Sequence, residues 1–346
     1  MTAALLEGIT AEQVVTDRYA ANVLRSSVAG DGAPVVFIHG NVSSSLFWQP
    51  TMLALNVPSL AIDLRGFGDS EAKPVDATRG VRDFSDDVAS VLDSLGVAKA
   101  HLVGWSMGGG VVMQLLLDRP ELVASLTLVS PVSPYGFGGT ARDGSRLTED
   151  GAGTGGGGGN PEFVRRLAEG DRGVDSLSPL GVFRSSYVAP GYSSPLEDVW
   201  VTSMLSTVTG IDNYPGSGRE SASWPGFAAG DRGVLNTMSP VYFDVSGIVD
   251  VEPKPPVLWV RGTADAIVGD ESFFDLNTLG KHGIIPGWPG EEIAPPQQMV
   301  AQTRDVFERY QAAGGQVTEL AWEGVGHSAH LERPEEFVEV VTNHIA

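Results

Sequence analysis

Ser106 is the residue of this chain most clearly placed to do chemistry. It stands in Gly104-Trp105-Ser106-Met107-Gly108, a G-x-S-x-G motif. The apolar run Leu102-Val103 precedes it, and an apolar face made by Val111, Val112, Leu115 and Leu116 follows it. That strand–turn–helix context is what makes the motif informative. An abrupt turn of this kind strains the serine backbone and leaves no room for side chains beside it, hence Gly104 and Gly108. The Met107 amide would then sit at a helix N-terminus, where unpaired N–H groups and the helix dipole stabilise a developing oxyanion. A serine hydroxyl is a weak nucleophile until a base takes its proton, and histidine is the side chain whose pKa suits that task near neutrality.

The elements needed to hold such a site are legible in the apolar pattern. Short unalternated runs occur at Val35–Ile38, Leu60–Ile62, Ala100–Val103, Leu126–Val129, Val257–Val260 and Val317–Trp322. Runs of this kind suit strands covered on both faces, as in a parallel sheet. Between them lie helical patterns: Phe84, Val88, Val91, Leu92 and Leu95 with Gly96 as a stop, then Val111 to Leu116 ended before Pro120. Pro334 opens a last helix with Phe337, Val338, Val341 and Ile345 inward, at a position where proline is tolerated. The alternation predicts an α/β fold with a mostly parallel, doubly wound sheet. Residues 131–255 break the rhythm, carrying half of the chain's 44 glycines and many aromatics, among them Phe183, Tyr187 and Trp200. They read as an irregular insertion packed on the loop edge of the sheet, with the glycine run 151–159 as a flexible stretch that modulates substrate entry. A second insertion, Glu271 to Pro296, holds Phe273, Phe274 and Trp288.

Further landmarks agree in order with the serine motif. They are His39-Gly40-Asn41, the turn Asp63-Leu64-Arg65-Gly66-Phe67-Gly68-Asp69-Ser70, the loop Arg261-Gly262-Thr263-Ala264-Asp265-Ala266-Ile267-Val268, and Gly324-Val325-Gly326-His327-Ser328. Together they resemble the α/β-hydrolase superfamily. The resemblance implies a core from 1–130 and 256–346, with 131–255 as an inserted cap or lid. It also implies a catalytic set of Ser106, Asp265 and His327, in the chain order this fold uses, and an oxyanion hole from the amides of Asn41 and Met107. In that set Asp265 holds the imidazole tautomer and stabilises its charged form. The Asp63–Ser70 turn would be structural, and His39 would shape the oxyanion loop.

Each partner has a competitor. His330 lies three residues after His327, but the G-x-G-H loop favours His327, and two histidines without a third ligand make a poor zinc site. His330 is expected to approach a helix or stand at the pocket rim, and His101 and His282 to be bystanders. Asp270 lacks the G-x-x-D-x-[IV]-[VF] pattern that Asp265 fits. The stretch Val129-Ser130-Pro131-Val132 carries no carboxylate, which removes an acid after the run Leu126–Val129. The Asp265–His327 separation is long for the family, and the second insertion accounts for the excess.

Haloalkane dehalogenases and epoxide hydrolases of this superfamily use an aspartate nucleophile. Asn41, Ser44 and Trp48 have a dehalogenase-like pattern, yet Ser106 stands where the aspartate would be and Met107 where tryptophan is usual. The expected activity is cleavage of carboxylic esters, lactones or thioesters of a largely apolar substrate through an acyl-Ser106 intermediate. The alternatives are C–C bond hydrolysis or acyl transfer with the same triad, and a non-enzymatic ligand receptor on the same fold.

Composition narrows the setting. The 346 residues carry 22 Lys+Arg against 43 Asp+Glu, a formal charge of −21 that disfavours nucleic acid and anionic membranes. There is no cysteine, which excludes disulfides, thiolate metal sites and cysteine nucleophiles. No secretory signal or apolar run long enough for a spanning helix is present, so a cytoplasmic protein is expected. The expected partner is a small ester-like molecule, with no cofactor and no metal. The oligomeric state stays open, a homodimer being one way to cover the aromatics of the insertions.

Overall fold

Strands form where the apolar runs lack alternation. In the computed structural model, which describes residues 5–30 and 32–346, two N-terminal strands come first, β1 (Ile9–Val15) and β2 (Ala20–Ser26). Next come β3 (Val35–Ile38), β4 (Ser59–Ile62), β5 (Ala100–Trp105) and β6 (Val123–Val129), then β7 (Val257–Gly262) and β8 (Val317–Trp322). They make one eight-stranded sheet of order β1-β2-β4-β3-β5-β6-β7-β8. From β3 onward every pairing is parallel, while β2 runs antiparallel to both β1 and β4. All four residues of β3 and of β4 are buried, as expected for strands covered on both faces.

Both ends of the sheet differ from expectation. The β1–β2 hairpin has no counterpart in the sequence reading: β1 buries only Ile9 and Val14 and is otherwise exposed, so it leaves no apolar run. Strand β8 is an edge strand with half-exposed residues rather than one covered on both faces. It has a neighbour on one side only.

Helices α1 (Gln49–Leu55), α2 (Arg82–Ser94) and α3 (Met107–Asp118) fill the crossovers. Helix α3 is buried from Met107 to Leu116, packed against α2 and the strands β3, β5 and β6. The last helix, Pro334–Ile345, packs on α1 and buries Phe337 and Val341. No helix among the described residues is long and apolar enough to cross a membrane.

Register sets where the site must be. Ile38 pairs with Gly104, Trp105 with Val129, Val129 with Val260, and Gly262 with Trp322. The loops after β3, β5, β7 and β8 therefore leave along one edge, the carboxyl end of the sheet, where α/β folds gather ligands. The Asp63 turn braces this edge. Its carboxylate accepts from Ser45 N (2.7 Å), Asn22 Nδ2 (2.8 Å) and Asp69 N (3.0 Å), and Arg65 makes a bidentate pair with buried Asp87 at 2.6 Å.

Residues 131–255 lie between β6 and β7 as mostly irregular chain, with helices at Pro161–Glu169 and Glu197–Leu205 and a π-helical turn at Phe183–Tyr187. The glycine run 151–159 is not the flexible loop its composition suggests. Gly153 N–H donates to Phe227 O and Gly156 N–H to Asn236 Oδ1, both at 2.8 Å. A Cβ on Gly156 would lie 2.5 Å from Ser217 O, and one on Gly155 2.1 Å from Asn236 Oδ1. The glycines permit close packing, not motion.

The second insertion is a buttress for the first. Trp224 Nε1 donates to Pro286 O at 2.9 Å, and Gly280 packs against Trp224 and Trp288. The buried Asp275 carboxylate accepts Gln297 N (2.9 Å), and Gln297 Nε2 reaches Gly136 O (3.1 Å). The aromatics Phe183, Tyr187 and Trp200 are buried against Phe47 of the sheet domain. They serve as packing between insertion and sheet, so they do not by themselves argue for an apolar pocket.

Candidate active site

Ser106 sits at the sharp turn from β5 into α3 with φ 56° and ψ −120°. A positive φ is unusual for a residue with a side chain, and it persists only where the surroundings enforce it. Here they do. Ser106 N–H donates to Val129 O, and Ser106 O accepts from Gly109 N and Val132 N, at 2.9–3.0 Å. A Cβ on Gly104 would meet Gly108 O at 2.4 Å, and one on Gly108 would meet Ile38 O at 2.4 Å and His39 O at 2.5 Å. The turn closes only because both positions lack a side chain. Ser106 itself is partly exposed, while Trp105 and Met107 on either side are buried.

Asp265 and His327 are in direct contact. Asp265 Oδ2 lies 2.8 Å from His327 Nδ1, and each side chain is only 2% exposed. The other carboxylate oxygen accepts from Ile267 N (2.8 Å) and Val268 N (3.0 Å). With Nδ1–H directed at the carboxylate, the ring is in the tautomer that leaves Nε2 free to accept a proton. The two loops are pressed together: Ala264 N–H donates to Val325 O (2.9 Å), and a Cβ on Gly262 would lie 2.0 Å from the same oxygen. Trp105, next to the serine, ties the histidine loop to the turn by donating Nε1–H to His327 O at 2.9 Å. Among the described residues no hydrogen bond joins the Ser106 hydroxyl to His327; unliganded sites often tighten that contact only when substrate binds.

Asn41 and Met107 flank the serine. The Asn41 loop is close to it, since a Cβ on Gly40 would sit 2.9 Å from Ser106 Cβ. Neither the Asn41 nor the Met107 amide is engaged by a backbone carbonyl among the described residues. The Asn41 side-chain oxygen is buried without a partner. His39 is a brace, as expected: Nδ1 donates to Gly40 O (2.7 Å) and Nε2 accepts from Leu64 N (3.1 Å).

The competing groups are placed differently. Asp270 Oδ1 accepts from Val300 N (2.9 Å) and Ala301 N (3.0 Å), so it caps the helix Met299–Ala312. His101 bonds Ser125 Oγ, and His282 stacks on Phe273. His330 is not a rim residue. It is buried between Trp48 (ring centroids 4.3 Å, stacked) and Trp105 (5.0 Å, edge-on), and neither ring nitrogen has a partner. Loss of hydration there pushes its pKa down to about 3, so it stays neutral.

Three neighbours escaped sequence reasoning. Tyr187, from the π-helical turn, donates its hydroxyl to Asn41 O (2.9 Å) and Val42 O (3.3 Å) and packs edge-on against Trp105 and His327. Glu332 accepts from Gly326 N (3.0 Å), beside His327, and from Ala189 N (3.0 Å), and burial raises its carboxyl pKa. Trp105 had a visible signal, its place inside the serine motif; Tyr187 and Glu332 had none. Two surface cavities, of about 400 and 450 Å³, are lined by other residues and do not reach Ser106, Asp265 or His327.

The chain belongs to the alpha/beta hydrolase family, whose model matches residues 35–340. It is 42% identical over 103 residues to RutD of Variovorax paradoxus (strain S110), named a carbamate hydrolase, covering 29% of this chain and 38% of that protein. It is 30% identical over 123 residues to carboxylesterase YbfK of Bacillus subtilis (strain 168), covering 35% and 41%. The matched stretches thus span about two fifths of these relatives' length. The solved structure of that Bacillus subtilis carboxylesterase, CesB (YbfK), aligns over 98% of this chain and 92% of its own, with a TM-score of 0.58 and 19% identity. At that identity the likeness speaks for the fold.

Proposed function

We propose that this protein is a serine hydrolase of carboxylic esters, or of related lactones and thioesters. The observation that carries the reading is the Asp265–His327 pair at 2.8 Å beside a strained, partly exposed Ser106. In this reading His327 Nε2 takes the Ser106 proton as Oγ attacks the substrate carbonyl carbon. The negative charge that develops on the carbonyl oxygen is met by the N–H groups of Asn41 and Met107. Asp265 keeps Nδ1–H in place and stabilises the imidazolium. The tetrahedral intermediate collapses, and the leaving alcohol takes the proton from His327. Water, deprotonated by the same histidine, then cleaves the acyl-Ser106 ester and restores the enzyme. The 131–255 insertion acts as the cap, reaching the site through Tyr187. Similarity to a carboxylesterase and to a protein named a carbamate hydrolase supports acyl chemistry of this kind.

The test is turnover of p-nitrophenyl acetate or butyrate together with labelling by a fluorophosphonate probe. Both should be present in the wild type and lost in Ser106→Ala. Labelling without turnover of any activated ester would instead favour a ligand-capturing receptor, and partition of the acyl group to added alcohols would identify an acyltransferase. Absence of labelling rejects the base-activated serine.

A further inference from the structure

Val42 has a side chain branched at Cβ, yet its φ is 46°. For such a residue this is an outlier conformation, and it holds only when something outside the residue imposes it. The loop it belongs to, Gly40-Asn41-Val42, carries the Asn41 amide beside Ser106. The hydroxyl of Tyr187 reaches this loop from the insertion, spanning the carbonyls of Asn41 (2.9 Å) and Val42 (3.3 Å), and two residues on, Ser203 Oγ meets Ser44 Oγ at 2.6 Å. The phenol is buried, and burial pushes its pKa well up, so it remains a donor throughout the working pH range.

The same short segment is registered to the histidine loop. Two residues on, Ala189 N–H donates to Glu332, whose carboxylate also holds Gly326 N. Gly326 lies so close to the segment that a Cβ there would be 2.6 Å from Ala189 N and 2.7 Å from Val188 C. Residues 187–189 therefore form a strap with one end on the oxyanion loop and the other against the loop of His327. The strap leaves a π-helical turn, a rare geometry that is frequent at functional sites.

We infer that Tyr187 is a positioning residue for catalysis: its hydroxyl holds the Asn41–Val42 backbone so that the Asn41 amide faces the oxygen of the substrate carbonyl. The inference rests on the acyl-Ser106 reading. It assigns the insertion a part in building the oxyanion hole, beyond covering the site.

Tyr187→Phe keeps the ring among Trp105, His327 and Phe183 and removes only the hydroxyl. Hydrolysis of p-nitrophenyl acetate should fall roughly 10- to 100-fold in kcat, somewhat less than the loss of a whole oxyanion donor, with KM changed less than about threefold. The acid limb of the kcat/KM–pH profile should stay in place, because the Asp265–His327 pair is untouched. Glycine takes a positive φ without restraint, so Val42→Gly should recover part of the loss when added to Tyr187→Phe. Wild-type kcat in Tyr187→Phe overturns the inference. So does a loss carried in KM, a displaced acid limb, or no recovery in the double variant. A wild type that neither labels with fluorophosphonate nor turns over ester rejects the acyl-Ser106 reading itself, and this inference with it. Labelling and turnover in the wild type, undiminished in Tyr187→Phe, reject the inference alone.

Discussion

At the Asp265 carboxylate the two oxygens face different demands, and that division makes an isosteric change informative. Oδ1 takes two backbone N–H groups, from Ile267 and Val268, while Oδ2 takes His327 Nδ1–H. In Asp265→Asn the new carboxamide keeps its oxygen toward the two amides and turns its NH2 toward His327. Donor then faces donor, so the imidazole shifts its proton to Nε2 and loses the lone pair that would accept from Ser106. The expected loss is about 10³- to 10⁴-fold in kcat for an activated ester with the fold preserved; a loss below tenfold with an unchanged circular dichroism spectrum would reject Asp265 as the acid. His330 supports a second prediction. Its pKa is near 6.5 in the unfolded chain and about 3 in the fold, lowered by burial. Between those values the unfolded chain binds a proton that the folded chain does not. The stability available above pH 6.5 is therefore lost as pH falls through the window, by up to about 1.4 kcal/mol per pH unit. His330→Phe removes that term, while His39, His101 and His344, also lowered by burial, keep theirs. Urea unfolding at pH 7 and pH 4.5 should show a smaller difference in the variant than in the wild type.

Among the elements, the glycine turn 151–159 separates two readings of one composition. If the run were free, Gly156→Ala would be neutral or stabilise by about 0.4–1 kcal/mol through the unfolded chain. With the backbone of Ser217 2.5 Å from the new Cβ, the same change should instead cost about 1–3 kcal/mol, read as a lower midpoint in thermal or chemical unfolding. Composition does not distinguish glycine that moves from glycine that lets two backbones touch, and here only the fold does. The contrast recurs elsewhere. Strands β3 to β7 were legible because burial on both faces leaves an unalternated apolar run. Strand β1 was not, since an edge strand with two buried side chains leaves no pattern. Strand β8 was found, but its apolar residues suggested a cover that an edge position lacks. The serine turn was legible because both glycines fall inside one short motif, although only Gly104 is forced from within it, by Gly108 O, while Gly108 is forced by Ile38 and His39. The Tyr187 clamp was not, because its partner lies 146 residues earlier in the chain, and nothing local marks a contact made by folding alone.

For the molecule as a whole, the dominant long-range property is charge. A formal net charge of −21 gives a negative potential over much of the surface, whatever the pairing of individual side chains. Exposed ion pairs such as Arg142–Asp305 and Arg165–Glu162 neutralise locally but leave the excess of acids unbalanced, and each contributes little by itself. A field of this sign lowers the local concentration of anionic molecules near the site and leaves neutral ones unaffected. It acts beyond contact distance, so salt should remove it: the screening length shrinks from about 30 Å at 0.01 M to about 3 Å at 1 M. An ester carrying a free carboxylate, such as p-nitrophenyl hemisuccinate, should therefore gain roughly threefold or more in kcat/KM as sodium chloride rises from about 0.01 to 0.5 M. Neutral p-nitrophenyl butyrate should change much less. If the two substrates respond alike, the field at Ser106 is set by near neighbours rather than by net charge. If the anionic ester slows with salt, a local cationic group outweighs the global field.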